Sequence, residues 1–341
     1  MVVLSPSSSL LIKPDCQKKC GEISISYPFG IGAGCYLDDS YAVNCRSGKP
    51  FLASINLELL NISLEANTIL VNHPVFNTCV SAGDSMESAN LENSPFFFSQ
   101  TPNILFGQGC YFLAYINHNQ TYAGCYSSCF LERNPTACLG IHCCHSTIPP
   151  FLQFFNASVV ETDKVEECKL VFVVEEEWIV RKEWNPGNSK AVPVVLDWGI
   201  HNSSFHLLNI TTSTSRSCND FTNPTFANKS LSTSTTASNS LVHQCNCKGG
   251  FQGNPYLLQG CQDIDECKNK SICSPTMSCR NVIGSYNCNP RGPRLNTTQV
   301  ILASSQKDNG NVQQDYEEVE HETHERTEIT ECWDVVSTST G

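Results

Sequence analysis

One short stretch of this chain concentrates oxygen donors. "DIDECKNKSICSPTMSCRNVIGSYNC", residues 263–288, sets acidic Asp263, Asp265 and Glu266 and the amide Asn281 among four cysteines. A hard cation such as calcium takes about six to eight oxygens from carboxylates, amide carbonyls and backbone carbonyls, and all three kinds are available here. Other combinations that look chemical fail on inspection. "GIGAGC" (30–35) follows a strand-like run, but Gly30, Gly32 and Gly34 do not make G-x-G-x-x-G, and Cys35 stands where a helix should begin. A disulfide-flanked turn is expected there instead of a dinucleotide site. "GDS" at Gly83–Ser85 has no Asp-x-x-His elsewhere to supply a base. His321 and His324 in "HETH" lack the i, i+4 spacing that puts two imidazoles on one helix face. The adjacent Cys143 and Cys144 read as two disulfide halves. No Gly-rich kinase loop, V-A-I-K lysine, H-R-D or D-F-G occurs. The expectation is a binding protein without catalysis.

The elements that must position these oxygens are held by cysteines. There are 21 in 341 residues, and thiols at this density persist as bridges only in an oxidising compartment. They fall into parcels of twelve (Cys16 to Cys168), four (Cys218 to Cys261) and four (Cys267 to Cys288), with Cys332 left over. Even parcels can each be bridged internally. Asn-x-Ser/Thr acceptors at Asn61, Asn119, Asn156, Asn202, Asn209, Asn228, Asn269 and Asn296 agree with a secretory route. Residues 1–13 read as a residual or atypical signal region, without a basic start and broken by "SPSSS". No apolar run approaches the ~18 residues of a membrane span. The net charge of −12 is uneven: residues 303–341 hold ten Asp/Glu against Lys307 and Arg326. No basic stripe exists to replace phosphate counterions, so nucleic acid is not expected as a partner.

Period-two alternation over Glu22–Tyr27, and runs at 54–71, 95–99, 110–116, 143–155, 168–180 and 192–200, point to strands. Helical periodicity is scarce. The fold class expected is mainly β: small cysteine-bridged β modules, then a Ser/Thr-rich linker within 202–240, and a solvated acidic tail.

Two half-motifs, "DIDEC" (263–267) and "CRNVIGSYNC" (279–288), resemble the calcium-binding EGF-like family. The resemblance implies Ca2+ held by side-chain oxygens of Asp263, Glu266 and Asn281 and by main-chain carbonyls of Ile264, Val282 and Ser285. Tyr286 would pack on the preceding module. It also implies bridges Cys267–Cys279 and Cys273–Cys288. "NPRG" follows Cys288 where Cys-x-Cys-Pro is the family pattern, so the third bridge is absent and the site is expected to be complete but less firmly braced. "CNCKGGFQGNPYLLQGC" (245–261) is similar to the end of another EGF-like module, implying Cys247–Cys261.

At larger scale "CQKKCGEISISYPFGIGAGC", "GCYSSC", "GIHCCHSTIPPFLQFF", "FVVEEEWIV" and "GNPYLLQGCQDIDEC" resemble, in order, the extracellular region of plant wall-associated receptor kinases. The organisation implied is a galacturonan-binding domain at 14–110, a wall-associated domain at 111–215, a degenerate EGF-like module with linker at 216–262, a truncated calcium-binding EGF-like module at 263–291 and a disordered acidic tail at 292–341. The family's membrane helix and kinase are not found in this sequence. The partner implied is pectin, as polygalacturonate or oligogalacturonides, in the cell wall or apoplast. A uronate chain needs cations for its carboxylates, and Lys13, Lys18, Lys19, Arg46 and Lys49 are the candidates. Trp178, Trp184 and Trp198 are expected in the core rather than as sugar platforms. The alternatives are an apoplastic decoy or co-receptor that binds proteins through the EGF region, and a truncated form of a membrane-anchored Ser/Thr receptor kinase.

Overall fold

The computed structural model describes residues 13–77, 88–118, 121–129, 138, 140–163, 169–181, 190–208, 210, 215–221 and 242–291. Cys79, Cys168, Cys332, Trp184, "GDS", "HETH", most of the Ser/Thr-rich linker, the acidic tail and the acceptors Asn119, Asn209, Asn228 and Asn296 lie outside them.

The first strands are β1 (Lys19–Cys20), β2 (Ile23–Ser24), β3 (Val43–Arg46), β4 (Lys49–Leu52), β5 (Leu57–Ser63), β6 (Thr68–Pro74), β7 (Phe76–Asn77) and β8 (Ser88–Asn90). Next come β9 (Phe96–Phe98), β10 (Asn103–Gln108), β11 (Phe112–His118), β12 (Thr121–Ser127), β13 (Cys143–Thr147), β14 (Phe154–Glu161) and β15 (Leu170–Glu175). A short helix α1 (Glu176–Val180) leads to β16 (Ala191–Trp198), β17 (Ile200–His201) and α2 (Asn202–Phe205). The chain then forms β18 (Arg216–Phe221), β19 (Val242–Cys247), β20 (Phe251–Gly253), β21 (Cys261–Asp263), β22 (Met277–Val282) and β23 (Ser285–Pro290).

The largest sheet has the order β3-β4-β5-β6-β16-β9. Two four-stranded sheets, β13-β10-β15-β7 and β12-β11-β14-β8, and a three-stranded sheet, β17-β19-β18, complete the main body. Three hairpins stand apart from these: β1–β2, β20–β21 and β22–β23. All pairings between these strands are antiparallel.

Residue type explains the layering. In β11, Phe112, Ala114 and Ile116 are buried while Leu113 is 38 % exposed, the alternation of a sheet with one wet face. By contrast "LVFVV" of β15 and "VPVVL" of β16 are buried throughout, as continuous apolar strands covered on both faces must be. These two strands pack against each other and join the sheets. Both come from beyond residue 110, yet β16 lies between β6 and β9 in register Val194↔Val71 and Leu196↔Phe98. The largest sheet thus takes strands from both sides of residue 110. At its core Trp198 sits 5.0 Å from Phe29 and 5.1 Å from Tyr256, ring centroid to centroid, and is fully buried. Side chains of this size stabilise by roughly 1.5–3 kcal/mol each on burial.

One run departs from expectation. Residues 168–180 read as strand interrupted by turns, but β15 stops at Glu175 and a helix, α1, begins at Glu176. Glu175, Glu176 and Glu177 cannot enter the dry layer that Leu170–Val174 occupy. A helical turn turns the acids outward, puts two of them at its positive end, and brings Arg181 to 3.7 Å from Glu177.

Candidate functional site

The oxygen-rich stretch folds as a short 3-10 turn at Glu266–Lys268 followed by the β22–β23 hairpin. Cys267–Cys279 and Cys273–Cys288 fasten the turn to the hairpin, with Cα separations of 5.5 and 5.7 Å. The register Asn281↔Tyr286 and Val282↔Ser285 closes a two-residue turn at Ile283–Gly284, with Gly284 at φ +77°. This geometry brings Asn281 to Asp263. Asn281 Nδ2 donates to Asp263 Oδ2 at 2.7 Å, and the Gly284 amide donates to Asp263 Oδ1 at 2.5 Å.

Among the described residues two oxygens here find no donor: Asn281 Oδ1 and Glu266 Oε2 are buried and unpartnered. Orphaned buried acceptors cost about 1–3 kcal/mol each, and a cation is the partner that acceptors without donors fit. Asp265, the remaining carboxylate, faces Lys268 at 3.9 Å instead. The Ile264 carbonyl accepts from the Glu266 amide at 3.1 Å, and a carbonyl oxygen has a second lone pair to offer. The donor set therefore fits a hard divalent cation.

The hairpin leans on the module before it. Ile264 N–H donates to the Gly250 carbonyl at 2.8 Å. A Cβ on Gly250 would fall 2.1 Å from the Gly284 carbonyl, and one on Gly284 would fall 2.8 Å from Phe251 Cε2. Only glycines permit this approach. Tyr286 is half-buried.

The basic candidates are brought together by a different device. Ser47 and Gly48, both at positive φ (50° and 77°), form a tight two-residue turn that sets Arg46 opposite Lys49. Cys20–Cys45 ties this hairpin to β1, whose Lys19 precedes Cys20, while Arg46 follows Cys45. The β1–β2 turn presses so close that a Cβ on Gly21 would lie 2.2 Å from the Gly48 carbonyl. Lys18, Lys19, Arg46 and Lys49 thus surround one bridge, and all are exposed. Lys49 is also bonded to Glu58 at 2.9 Å, which holds that carboxyl below its usual range. Arg46 lies over the Phe51 ring at 5.5 Å. Lys13 stands apart, its ammonium 4.5 Å above Tyr27 and bonded to the Gly34 carbonyl. "GIGAGC" is a turn closed by Cys16–Cys35, with Gly32 and Gly34 at positive φ.

Trp198 is fully buried, and Trp178 is partly buried and packed against the core. His142 Nδ1 approaches Cys129 Sγ at 3.0 Å and Cys110 Sγ at 3.4 Å. Those sulfurs are bonded to each other and offer no thiolate to a metal. Cys143 and Cys144 bond to Cys138 and Cys125. Cys247–Cys261 and Cys218–Cys245 close the module before the hairpin. Of the glycan acceptors described, Asn61, Asn202 and Asn269 are exposed, and Asn156 lies on β14.

What "GNPY" does is visible only in the fold. Asn254 and Tyr256 are fully buried. Asn254 Nδ2 donates to the Tyr27 carbonyl at 2.6 Å, and Tyr256 Oη donates to Asn67 Oδ1 at 2.5 Å. Burial pushes the Tyr256 phenol well above its ordinary pKa, so it stays a donor. An aromatic directly after Asn-Pro was the available signal: a tyrosine in a glycine-rich loop needs somewhere to put its ring.

The profile of the family "Wall-associated receptor kinase galacturonan-binding" matches residues 16–73, and that of the calcium-binding EGF domain matches residues 263–294. Among relatives, wall-associated receptor kinase 5 of Arabidopsis thaliana is 30 % identical, over 87 % of this chain and 41 % of its own length. Wall-associated receptor kinase-like 10 is 28 % identical, over 82 % and 43 %. Wall-associated receptor kinase-like 5, also from Arabidopsis thaliana, is 31 % identical, over 81 % and 42 %. The chain thus spans about two-fifths of the length of these curated relatives. No solved structure matches. Among the described residues no helix is long and apolar enough to cross a membrane. The chain is therefore similar, over most of its length, to about two-fifths of the length of these wall-associated receptor kinases, and contains one segment that matches the galacturonan-binding family and one that matches the calcium-binding EGF domain.

Proposed function

We propose that this chain is an extracellular pectin-binding protein whose EGF-like module holds calcium. The galacturonate reading is carried by the cationic group at Cys20–Cys45, inside the segment matched by the galacturonan-binding profile. Like charges directly opposite each other on a hairpin, as Arg46 and Lys49 are, destabilise it. Their presence at a disulfide-fixed edge supports recruitment of an anionic chain, whose carboxylates Lys18, Lys19, Arg46 and Lys49 would pair.

The calcium reading is supported by the two orphaned oxygens. Asp263, Glu266 and Asn281 would bind through side chains, and Ile264, Val282 and Ser285 through carbonyls. The ion would supply the positive charge these acceptors lack and would fasten the 263–266 segment to the hairpin.

The test is binding of soluble protein to de-esterified polygalacturonate at low salt, with and without calcium, beside calorimetry with calcium alone. Lys19→Glu with Arg46→Glu is expected to weaken polygalacturonate binding by roughly tenfold or more, at about 1.5–3 kcal/mol per charge-assisted bond. Asn281→Ala is expected to weaken calcium binding by at least about tenfold, or 1.4 kcal/mol, and to leave the cationic edge intact. No polygalacturonate binding in either condition would refute the first reading. Silence in calorimetry at millimolar calcium would refute the second. A protein partner lost on Asp263→Ala, with no pectin bound by the parent, would favour the decoy alternative.

A further inference from the structure

The outer face of the β12-β11-β14-β8 sheet carries a row of large apolar side chains that the core does not use. Leu113 on β11 is in register with Tyr126 on β12 and with Val160 on β14. The three are 38 %, 46 % and 47 % exposed, so they form one cross-strand row in solvent. Scattered exposed apolar residues are ordinary, whereas residues in one row offer a continuous apolar surface that a neighbouring group can cover. The same face holds a modification acceptor. Along β14 the residues alternating with the inward Phe155, Ala157 and Val159 are Asn156, Ser158 and Val160. Asn156-Ala157-Ser158 is an Asn-x-Ser acceptor. Asn156 is in register with Asn117, Ser158 with Tyr115, and Val160 with Leu113.

We propose that Asn156 carries an N-linked glycan that lies along this face and covers the Tyr126–Leu113–Val160 row. Strand rise puts Ser158 about 7 Å and Val160 about 13 Å from Asn156. The first sugar of the glycan lies over the Tyr115–Ser158 position, where the short serine leaves room. The second reaches the apolar row, and the C–H faces of the pyranose rings pack on Tyr126, Leu113 and Val160 as aromatic and aliphatic surfaces pack elsewhere. The bond formed joins Asn156 Nδ2 to the anomeric carbon of an oligosaccharide donor. The bond from that carbon to the donor's lipid diphosphate breaks, and the amide gives up one proton. Donor and transferase belong to the secretory route that the disulfides require. The inference is independent of what the galacturonan-binding module binds.

The experiment uses the full chain secreted from a glycosylating eukaryotic host, with glycopeptide mass analysis at Asn156, apolar-dye fluorescence and sedimentation at several concentrations. Asn156 is expected to be occupied. Ser158→Ala, which removes the acceptor and leaves the row, is expected to raise dye fluorescence severalfold and to cause concentration-dependent self-association. Enzymatic removal of the glycan from the folded wild-type protein is expected to do the same, without relying on the variant to fold. Adding Leu113→Thr and Val160→Thr to Ser158→Ala is expected to return both readings to the wild-type level. Asn61→Gln, which removes an exposed acceptor on β5, is expected to leave them unchanged. An unmodified Asn156 overturns the proposal. So does an occupied Asn156 whose removal leaves dye binding unchanged, and so does a wild-type dimer that buries this face between copies.

Discussion

His73 shows what a single residue contributes when a polar ring is used as core. It occupies an inward position of β6 with Ile69 and Val71, 5.6 Å from the Phe98 ring and 6.0 Å from Phe76. Burial pulls its pKa down from 6.5 to about 4, against the smaller opposing effect of the Pro74 carbonyl 3.0 Å from Nδ1. The folded chain therefore refuses a proton that the unfolded chain takes up. Stability from this group is complete above pH 6.5 and is lost as pH falls towards about 4, amounting to at most about 3 kcal/mol. The urea midpoint of wild type is expected to drop between about pH 7.5 and about pH 4.5, and that of His73→Leu to drop measurably less. Equal drops would show that His73 does not titrate as its burial implies. The inward place of His73 follows from alternation only when the strand is carried past the run at 54–71, which stops two residues short of it. The oxygens of Asp263, Glu266 and Asn281 were legible, since carboxylate and amide types at fixed distances from cysteines survive any detail of packing. What residue type could not convey is that Asn281 would turn its nitrogen to Asp263 and leave its oxygen without a partner.

At the scale of elements, the β22–β23 hairpin depends on glycine as well as on its own ladder. Gly284 sits at φ +77° against the Phe251 ring. Gly284→Ala introduces left-handed strain of about 1–2 kcal/mol, together with a Cβ 2.8 Å from Phe251 Cε2. It is expected to loosen the turn whose amide holds Asp263 and to weaken calcium binding severalfold, with the main unfolding midpoint unchanged. Phe251→Ala in that background is expected to restore part of the affinity, because it removes the clash and leaves the strain. An unaltered calcium isotherm for Gly284→Ala would separate the hairpin turn from the site. Hairpins of this kind are local and can be read from glycine and cysteine spacing. Strands such as β15 and β16 were legible as apolar runs, whereas "EEEWIV" required knowing that the dry layer ends at Val174. The placement of β16 between β6 and β9 was not legible at all. Alternation identifies a strand and its inner face, and says nothing about a partner more than a hundred residues away.

Across the whole molecule, the module ending in Cys261 is built into the main body rather than strung behind it. Asn254 and Tyr256 reach Tyr27 and Asn67, the Tyr256 ring lies tilted against Trp198, and Gln244 Nε2 donates to the Trp198 carbonyl at 2.8 Å. Arg216 adds bonds to the Leu257 and Leu258 carbonyls. The hairpin with the candidate calcium oxygens rests in turn on Gly250 and Phe251 of that module. Contacts are therefore continuous from the β5–β6 turn, in the segment that the galacturonan-binding profile matches, to Asp263. Such continuity predicts shared cooperativity, since a module whose largest aromatic is buried in its neighbour has little core of its own. Calorimetry of the wild-type chain is expected to give one main transition. Tyr256→Phe leaves Asn67 Oδ1 and the Cys245 amide, now 3.1 Å from the phenol, without their partner, at about 1–3 kcal/mol for each orphaned group. Combined with Asn254→Ala, it is expected to split the transition in two, the earlier one belonging to residues 242–290. Because the disulfides within 242–290 remain closed, the loosened module should still bind calcium, but a calcium-induced rise in the later transition should disappear. A single transition in the double variant, still raised by calcium, would mean that the bridges and not the Asn254–Tyr256 contacts unite the fold.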